Sequence, residues 1–409
     1  MKLPRLCGRD SPTFTHNTEE KMEFEFSKEH EIFRETMRKV AEKEFSKYMA
    51  EAEETEVFPR ELITTLGKMG YLCIGLPEEY GGSNADNIDQ CIQAEEFGKV
   101  NLGFSIAIGV DCGASTTLIS RYGTENQKQR FVVPVVKGEK VTCLGQTEAD
   151  AGSDRSLMRT TARRDGNEYV INGTKLYISN YSIADFVTVE AFVDRNLGLK
   201  GIGLFIVEAG TPGFIRGQKL KKCGVRSCET GELIFDHCRI PKENVIGEET
   251  DGWQKAVDAL TAGKVQTAAR ALGVARASLE AVVRYSQERI QFGKPIGQHQ
   301  AITVKIANMA TEIEAARLLI YQAAWLLDQG KLPIKEAAMA KLYACEMASR
   351  VTSEVVHIHG AYGYMCESSV ERYFRDGRYL TITKGPTEIQ QLIIGGQIGL
   401  FGKGGTIIY

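Results

Sequence analysis

The chain has 409 residues, more than one compact core serves, so two or three packed units are expected. Its 43% hydrophobic and 25% charged residues exclude disorder and fibres. A formal net charge of −3 and a pI near 6.2 leave no footprint for wrapping nucleic acid, though a local basic patch could hold a phosphorylated cofactor.

Residues 1–21 carry Lys2, Arg5 and Arg9 beside Asp10, Glu19 and Glu20, with no apolar core. They match neither a secretory signal nor a clean transit peptide and read as a disordered leader. From Ser27, an N-cap with Glu29 in the first turn, Phe33, Met37, Val40, Ala41, Phe45 and Tyr48 recur at helical spacing. Further helical stretches are predicted over 59–69, 88–100 and 127–136, separated by breaks such as Gly81-Gly82, giving an N-terminal α-helical domain over 22–144. After Gly145, short runs of Thr, Val, Ile and Tyr are punctuated by Asp165-Gly166 and Asn172-Gly173, dipeptides suited to tight hairpin turns. With strands over 186–193, 203–207 and 232–240, this predicts an antiparallel β domain over 145–249. The longest apolar run, around 186–193, is of strand length and carries Glu190, so no membrane span is expected. Beyond Trp253, helices over 253–290, 301–329, 335–359 and 387–395 predict a C-terminal four-helix bundle over 250–409. Ala268, Ala269, Ala271, Gly273, Ala275 and Ala277 let its neighbours approach closely. The fold class is α+β. Ten cysteines without a CxxC pair and six histidines without an HxxxH array argue for reduced thiols in a cytoplasm and no metal.

Two segments carry chemistry. Gln146-Thr147-Glu148-Ala149-Asp150-Ala151-Gly152-Ser153-Asp154 offers hydroxyls and backbone amides that could hold a ring and a phosphate, or could form an ordinary turn. It resembles the TExxAGSD signature of the acyl-CoA dehydrogenase family. Arg289-Ile290-Gln291-Phe292-Gly293-Lys294-Pro295-Ile296, followed by Gln300, resembles that family's RxxFGxxI…Q element. The resemblance runs from Met22 onward with the segments in the family's order. It implies the family's fold, FAD as cofactor, an acyl-CoA substrate, electron-transferring flavoprotein as acceptor, and a homotetramer. Gln146, Thr147 and Ser153 would then contact the cofactor, with Tyr177 packed on the flavin and Ser179 near its hydride-accepting nitrogen. Arg289, Phe292 and Gln300 would reach the adenosine half across a subunit boundary, and Gly360, Thr387 and Glu388 would complete the cofactor set. Asp111, Ser153, Lys384 and Gly385 would face the substrate.

The chain departs from the family at the group that removes the substrate's α proton. Where most members have a glutamate in a YEGTxxIQ-like run, this chain has Thr383-Lys384-Gly385-Pro386-Thr387-Glu388-Ile389-Gln390. The alternative position on the first bundle helix is Gly263-Lys264. A base must sit within hydrogen-bond reach of its proton, and Lys384 is expected to be a poor one unless burial strongly depresses its pKa. Three readings stay open: a non-catalytic flavin or acyl-CoA binder, a relocated acid, or a redox reaction such as enoyl-CoA reduction that needs no α base. Asp111, at the end of the apolar stretch over 104–110, is the candidate acid, desolvated and raised in pKa; the plainer reading is a helix-cap or loop aspartate. An acid displaced along the pocket would take a γ proton. The resemblance then points to the branch that converts cyclohex-1-ene-1-carboxyl-CoA to cyclohexa-1,5-diene-1-carboxyl-CoA by 1,4-elimination, with Asp111 as base.

Overall fold

The computed structural model describes residues 25–401, so the expected leader lies outside the described residues. The first unit is helical: α1 (Lys28–Phe45), α2 (Met49–Thr55), α3 (Arg60–Lys68), α4 (Asn87–Val100), α5 (Leu102–Val110), α6 (Thr116–Tyr122), α7 (Glu125–Gln127) and α8 (Val133–Val136). Side-chain caps set its boundaries. Ser27 Oγ accepts from His30 N, and Asp86 accepts from Asp89 N at 2.7 Å to start α4. Asn101, with φ −152°, ends α4 and caps α5 through Phe104 N at 2.9 Å.

The expectation on apolar runs needs correction here. Leu102–Tyr122 is long and apolar enough to cross a membrane by length and composition. It is instead a core helix, 67% buried inside the protein, with Leu102, Phe104, Ala107, Leu118 and Ile119 packed into the main hydrophobic cluster. Midway, at Asp111–Ser115, the helix widens into a π-type turn and Gly113 leaves helical geometry (φ −92°, ψ −125°).

The second unit is a seven-stranded sheet of β1 (Thr142–Gly145), β2 (Thr161–Asp165), β3 (Glu168–Ser179), β4 (Phe186–Phe192), β5 (Ile202–Glu208), β6 (Phe214–Lys219) and β7 (Thr230–Pro241). The order is β1-β4-β2-β3-β7-β6, with β5 on β4. Most pairings are antiparallel, but β4 runs parallel to β1, with Thr142 opposite Phe186, and meets β2 in parallel at Thr161 and Phe192. Asp165-Gly166 makes the expected tight turn between β2 and β3, Gly166 having φ +63°. Asn172-Gly173 does not turn the chain. Gly173 (φ +149°) sits at a bulge inside β3, where a Cβ would stand 2.4 Å from Thr160 Oγ1.

The third unit holds α9 (Gly252–Glu288), α10 (Gln300–Asp328), α11 (Ile334–His359), α12 (Ser369–Leu380) and α13 (Thr387–Gln397). The sequence reading missed α12. A two-residue turn at Phe292 and Gly293, both at positive φ, links β8 (Ile290–Gln291) to β9 (Lys294–Pro295) before α10. The 37-residue α9 is the spine of the molecule, packing on its own bundle and on α4. At that crossing a Cβ on Gly273 would stand 2.1 Å from Glu95 O, and one on Gly98 3.0 Å from Arg270 O, so both glycines permit the close approach.

Candidate active site

Between α4, the α5–α6 helix, α9 and the loop before α13 lies a cavity of about 450 Å³, within the ordinary range for a small-molecule site. Gln90, Ser105, Cys112, Gly263, Arg270 and Lys384 contribute to its wall, and among the described residues no aspartate or glutamate does.

Lys384 is held by its backbone. It has φ +51° and Gly385 φ +85°, a left-handed pair that costs a lysine about 1 kcal/mol or more. Hydrogen bonds fix the pair from both sides: Gln390 Nε2 donates to the carbonyls of Gly385 (2.9 Å) and Lys384 (3.3 Å), and Lys341 Nζ donates to Gly385 O (2.8 Å). The side chain reaches α9, where a Cβ on Gly263 would stand 2.5 Å from Lys384 Nζ. The two positions that could have held a base are thus one space, and Gly263 leaves it to the lysine. Burial first, then the charges of Arg270 and Lys264, lower the Lys384 ammonium to about 7. Lys264 is itself lowered to about 8 by burial and by Lys341. The sequence made strong depression by burial the condition for Lys384 to act as a base, and burial lowers it in that sense.

Arg270 is 6% exposed. Its Nε donates to Ser105 O and Oγ, both at 3.1 Å. Its guanidinium occupies the room left by Gly109, where a Cβ would stand 1.9 Å from Nη2. Burial brings its pKa down to about 10.

Asp111 is fully buried, and burial pushes its carboxyl well above the usual range, partly opposed by the hydrogen bond from Thr142. That raised pKa is what the sequence predicted. The direction of the side chain is different. Oδ1 accepts from Thr142 N at 2.8 Å, tying the helix to β1, and Oδ2 has no partner. The neighbouring Cys112 and Gly113 line the cavity and Asp111 does not.

The cofactor positions split into two groups. In the first, Gln146 and Thr147 follow β1. Lys175 Nζ donates to Gln146 O (3.2 Å) and to Glu148 Oε1 (2.8 Å), and Leu176 N donates to Thr147 O (2.8 Å). The buried Glu148–Lys175 pair anchors this loop, a role not assigned from sequence. Ser153 is exposed on it. Tyr177, at a second bulge of β3, has φ +63° and is 62% exposed, so its ring is held out from the sheet. Ser179, the last residue of β3, lies close to Cys228 and Tyr379. An outward aromatic ring beside a loop of neutral donors fits a flavin ring. In the second group, Arg289, Phe292 (94% exposed) and Gln300 lie at the β8–β9 hairpin and the start of α10, and exposed Gly360 ends α11. Thr387 bonds Glu346 and Glu388 is exposed, both in the first turn of α13. None of this group lines the cavity.

Sequence reasoning missed Arg270, although an arginine in the Ala-rich run, seven residues after Gly263 and hence on its helix face, was a usable signal. It also missed His30, Asp86 and Asp89, whose potential metal-ligand atoms lie within 4.8 Å of one another. There His30 Nε2 is 3.3 Å from Asp86 Oδ2, a link between α1 and the α4 cap that explains the cluster without a metal.

Three family models cover the chain: the acyl-CoA dehydrogenase N-terminal domain over 27–139, the middle domain over 143–238 and the C-terminal domain over 250–399. A short-chain specific acyl-CoA dehydrogenase of Clostridium acetobutylicum is 39% identical, covering 92% of this chain and 100% of its own length. An acryloyl-CoA reductase (NADH) of Anaerotignum propionicum is also 39% identical, over 92% of this chain and 96% of its own. The solved butyryl-CoA dehydrogenase of Megasphaera elsdenii superposes with a TM-score of 0.89 at 38% identity, over 92% of this chain and 100% of that one.

Proposed function

Because the chain belongs to the acyl-CoA dehydrogenase family, and is thus an FAD-dependent oxidoreductase of acyl-CoA thioesters, we propose that Lys384 Nζ takes and returns the substrate's α proton as a short acyl-CoA and its α,β-enoyl-CoA interconvert. FAD, when bound, accepts or returns the hydride of the β carbon. The observation that carries the reading is Lys384 on an acid-free wall with its pKa at about 7. Near pH 7 about half of it is neutral, the poise that suits a group acting as base in one direction and acid in the other. In oxidation the α C–H bond breaks, its electron pair enters the new double bond, and the proton stays on Nζ. Arg270 and Lys264 keep the lysine deprotonatable and favour negative charge developing on the acyl group. Names among the relatives include both a dehydrogenase and a reductase, in keeping with a site that works in either direction.

The test is anaerobic mixing of the purified holoenzyme with straight-chain acyl-CoAs while the visible flavin absorbance is followed. Bleaching should accelerate as pH rises through about 7, and Lys384→Met should abolish that rise. If no straight-chain acyl-CoA bleaches the enzyme and no enoyl-CoA reoxidises its reduced form, the proposal fails.

A second reading keeps Asp111 as the base for a γ proton of cyclohex-1-ene-1-carboxyl-CoA. Its support is a buried carboxyl with one free oxygen, and against it stands the engagement with Thr142, off the cavity wall. Bleaching by that thioester, abolished in Asp111→Asn and retained in Lys384→Met, would select it. The proposal also takes electron-transferring flavoprotein as acceptor and a homotetramer as the assembly. Exposed Phe292, Arg289 and Gln300 suit a contact completed by a second copy.

A further inference from the structure

Arg270 is a buried cation without a counter-ion. Both of its protein hydrogen bonds leave from Nε and end on Ser105, so Nη1 and Nη2 have no partner among the described residues. Among the described residues no carboxylate forms an ion pair with Arg270, and none lines the cavity. Lys384 likewise has no side-chain ion pair among the described residues, and Arg121 lines the cavity as well, so three cations share one wall without an anion. Two other buried cations are charge-matched, Arg276 by Glu95 and Glu96 and Lys175 by Glu148, while buried Lys341 and Arg372 end on backbone carbonyls. An uncompensated buried charge is among the most destabilising features a fold can keep, and a guanidinium with its outer fork free fits a carboxylate through two parallel hydrogen bonds. The remaining polar groups on the wall are neutral. Gln266 Nε2 is spent on Gln90 Oε1 at 3.1 Å, and Gln93 Nε2 on Tyr71 O at 3.0 Å.

Position adds a second constraint. Gly263, against which Lys384 Nζ rests, and Arg270 stand seven residues apart on α9, two turns along one face, or about 10 Å by helical rise. An acyl chain with its α carbon at Lys384 therefore points its far end along the same wall as Arg270.

We infer that the substrate's acyl chain ends in a carboxylate, which Arg270 receives: the enzyme acts on mono-CoA thioesters of short dicarboxylic acids. The inference rests on the proposed use of this cavity for acyl-CoA redox chemistry. The recognised group is an anion, and the other anionic source within the same ligand is a phosphate of CoA itself, so the test must separate the two.

Succinyl-, glutaryl- and adipyl-CoA are compared with butyryl-, valeryl- and hexanoyl-CoA, matched in carbon number. On the holoenzyme we expect kcat/KM for flavin reduction to favour at least one dicarboxylic thioester by about 30-fold or more, and calorimetry on the oxidised enzyme to show the same order in Kd. Arg270→Gln should lower kcat/KM for the favoured dicarboxylic thioester about 100-fold and for its monocarboxylic partner much less, so that the preference between them is lost, and Arg270→Lys should retain part of the preference. A carboxylate beside the cations also favours protonated Lys384, so the pH limb should lie higher with the dicarboxylic substrate than with its partner. Equal or better use of the monocarboxylic series by the wild-type enzyme overturns the inference and leaves the proposed function standing. If Arg270→Gln weakens both series and free CoA alike, the arginine serves the phosphates and the inference is again overturned. Reduction by neither series, with no enoyl-CoA reoxidation, rejects the proposed function itself.

Discussion

Gly263→Ala offers a test in which stability and chemistry move in opposite directions. The new methyl would stand 2.5 Å from Lys384 Nζ, 3.7 Å from Cε and 3.8 Å from Cδ. Only the terminal nitrogen is in the way, and it must retreat by about 1 Å to reach ordinary contact. Retreat is cheap because Nζ ends a flexible chain, and alanine inside a helix is favoured over glycine by about 0.5–1 kcal/mol. The melting temperature should hold or rise slightly. Displacing a proton-transfer group by about 1 Å should slow the chemical step about 100-fold, equivalent to about 2.7 kcal/mol of barrier. The assay is stopped-flow flavin reduction under single-turnover conditions, paired with a thermal melt. Reduction within twofold of wild type at every pH would refute the role of Lys384, and a rate loss accompanied by a large drop in melting temperature would refute the packing argument.

Other perturbations address the same groups. Lys384→Met should cut flavin reduction by a factor of about 100 to 10,000 and remove the limb near pH 7; a limb surviving at the same pH would belong to another residue. Between the folded pKa of Lys384, about 7, and its ordinary value of 10.5, the unfolded chain holds more protons than the folded one. Stability should therefore climb as pH rises from 7 toward 10, in the same sense as Lys264, and urea midpoints at pH 7 and 9 should differ less in Lys384→Met than in wild type. Asp111→Ala leaves Thr142 N a buried donor without an acceptor and should cost about 1–3 kcal/mol by urea unfolding. Asp111→Asn keeps the Oδ1 acceptor and should stay within about 1 kcal/mol of wild type.

What could be read from the sequence was whatever local chemistry decides. The Ser27 cap, the spacing of α1, the Asp165-Gly166 turn and the three-unit order needed no knowledge of distant residues. The α5–α6 helix escaped because its first half, 102–108, is buried on every side, and a helix buried all round shows no amphipathic period. Segment α12 escaped because its charged residues suggested solvent, whereas Arg375 is locked between Glu371 and Glu53. At Asn172-Gly173 the sequence could not distinguish a bulge from a turn, since both use glycine's freedom at positive φ. Within the site, the sequence singled out Lys384, which lines the cavity, but not its protonation, which depends on enclosure and on Arg270 and Lys264 arriving from another helix. The burial of Asp111 was legible. Its facing was not, because the widened turn at Asp111–Ser115 breaks the 3.6-residue register from which a helix face is counted.

The unbroken course of α9 makes it a ruler. Gly263 and Arg270 are graduations on one rigid helix, so the span between the proton-handling end of the cavity and its cation is fixed by pitch rather than by a loop that could adapt. Moving the cation by one turn, to position 266 or 274, would change the measured length in a step of about 5.4 Å, the reach of several methylene groups. Substrate length in this scaffold could then be reset by relocating a single charge along one helix, with the proton-handling lysine left in place.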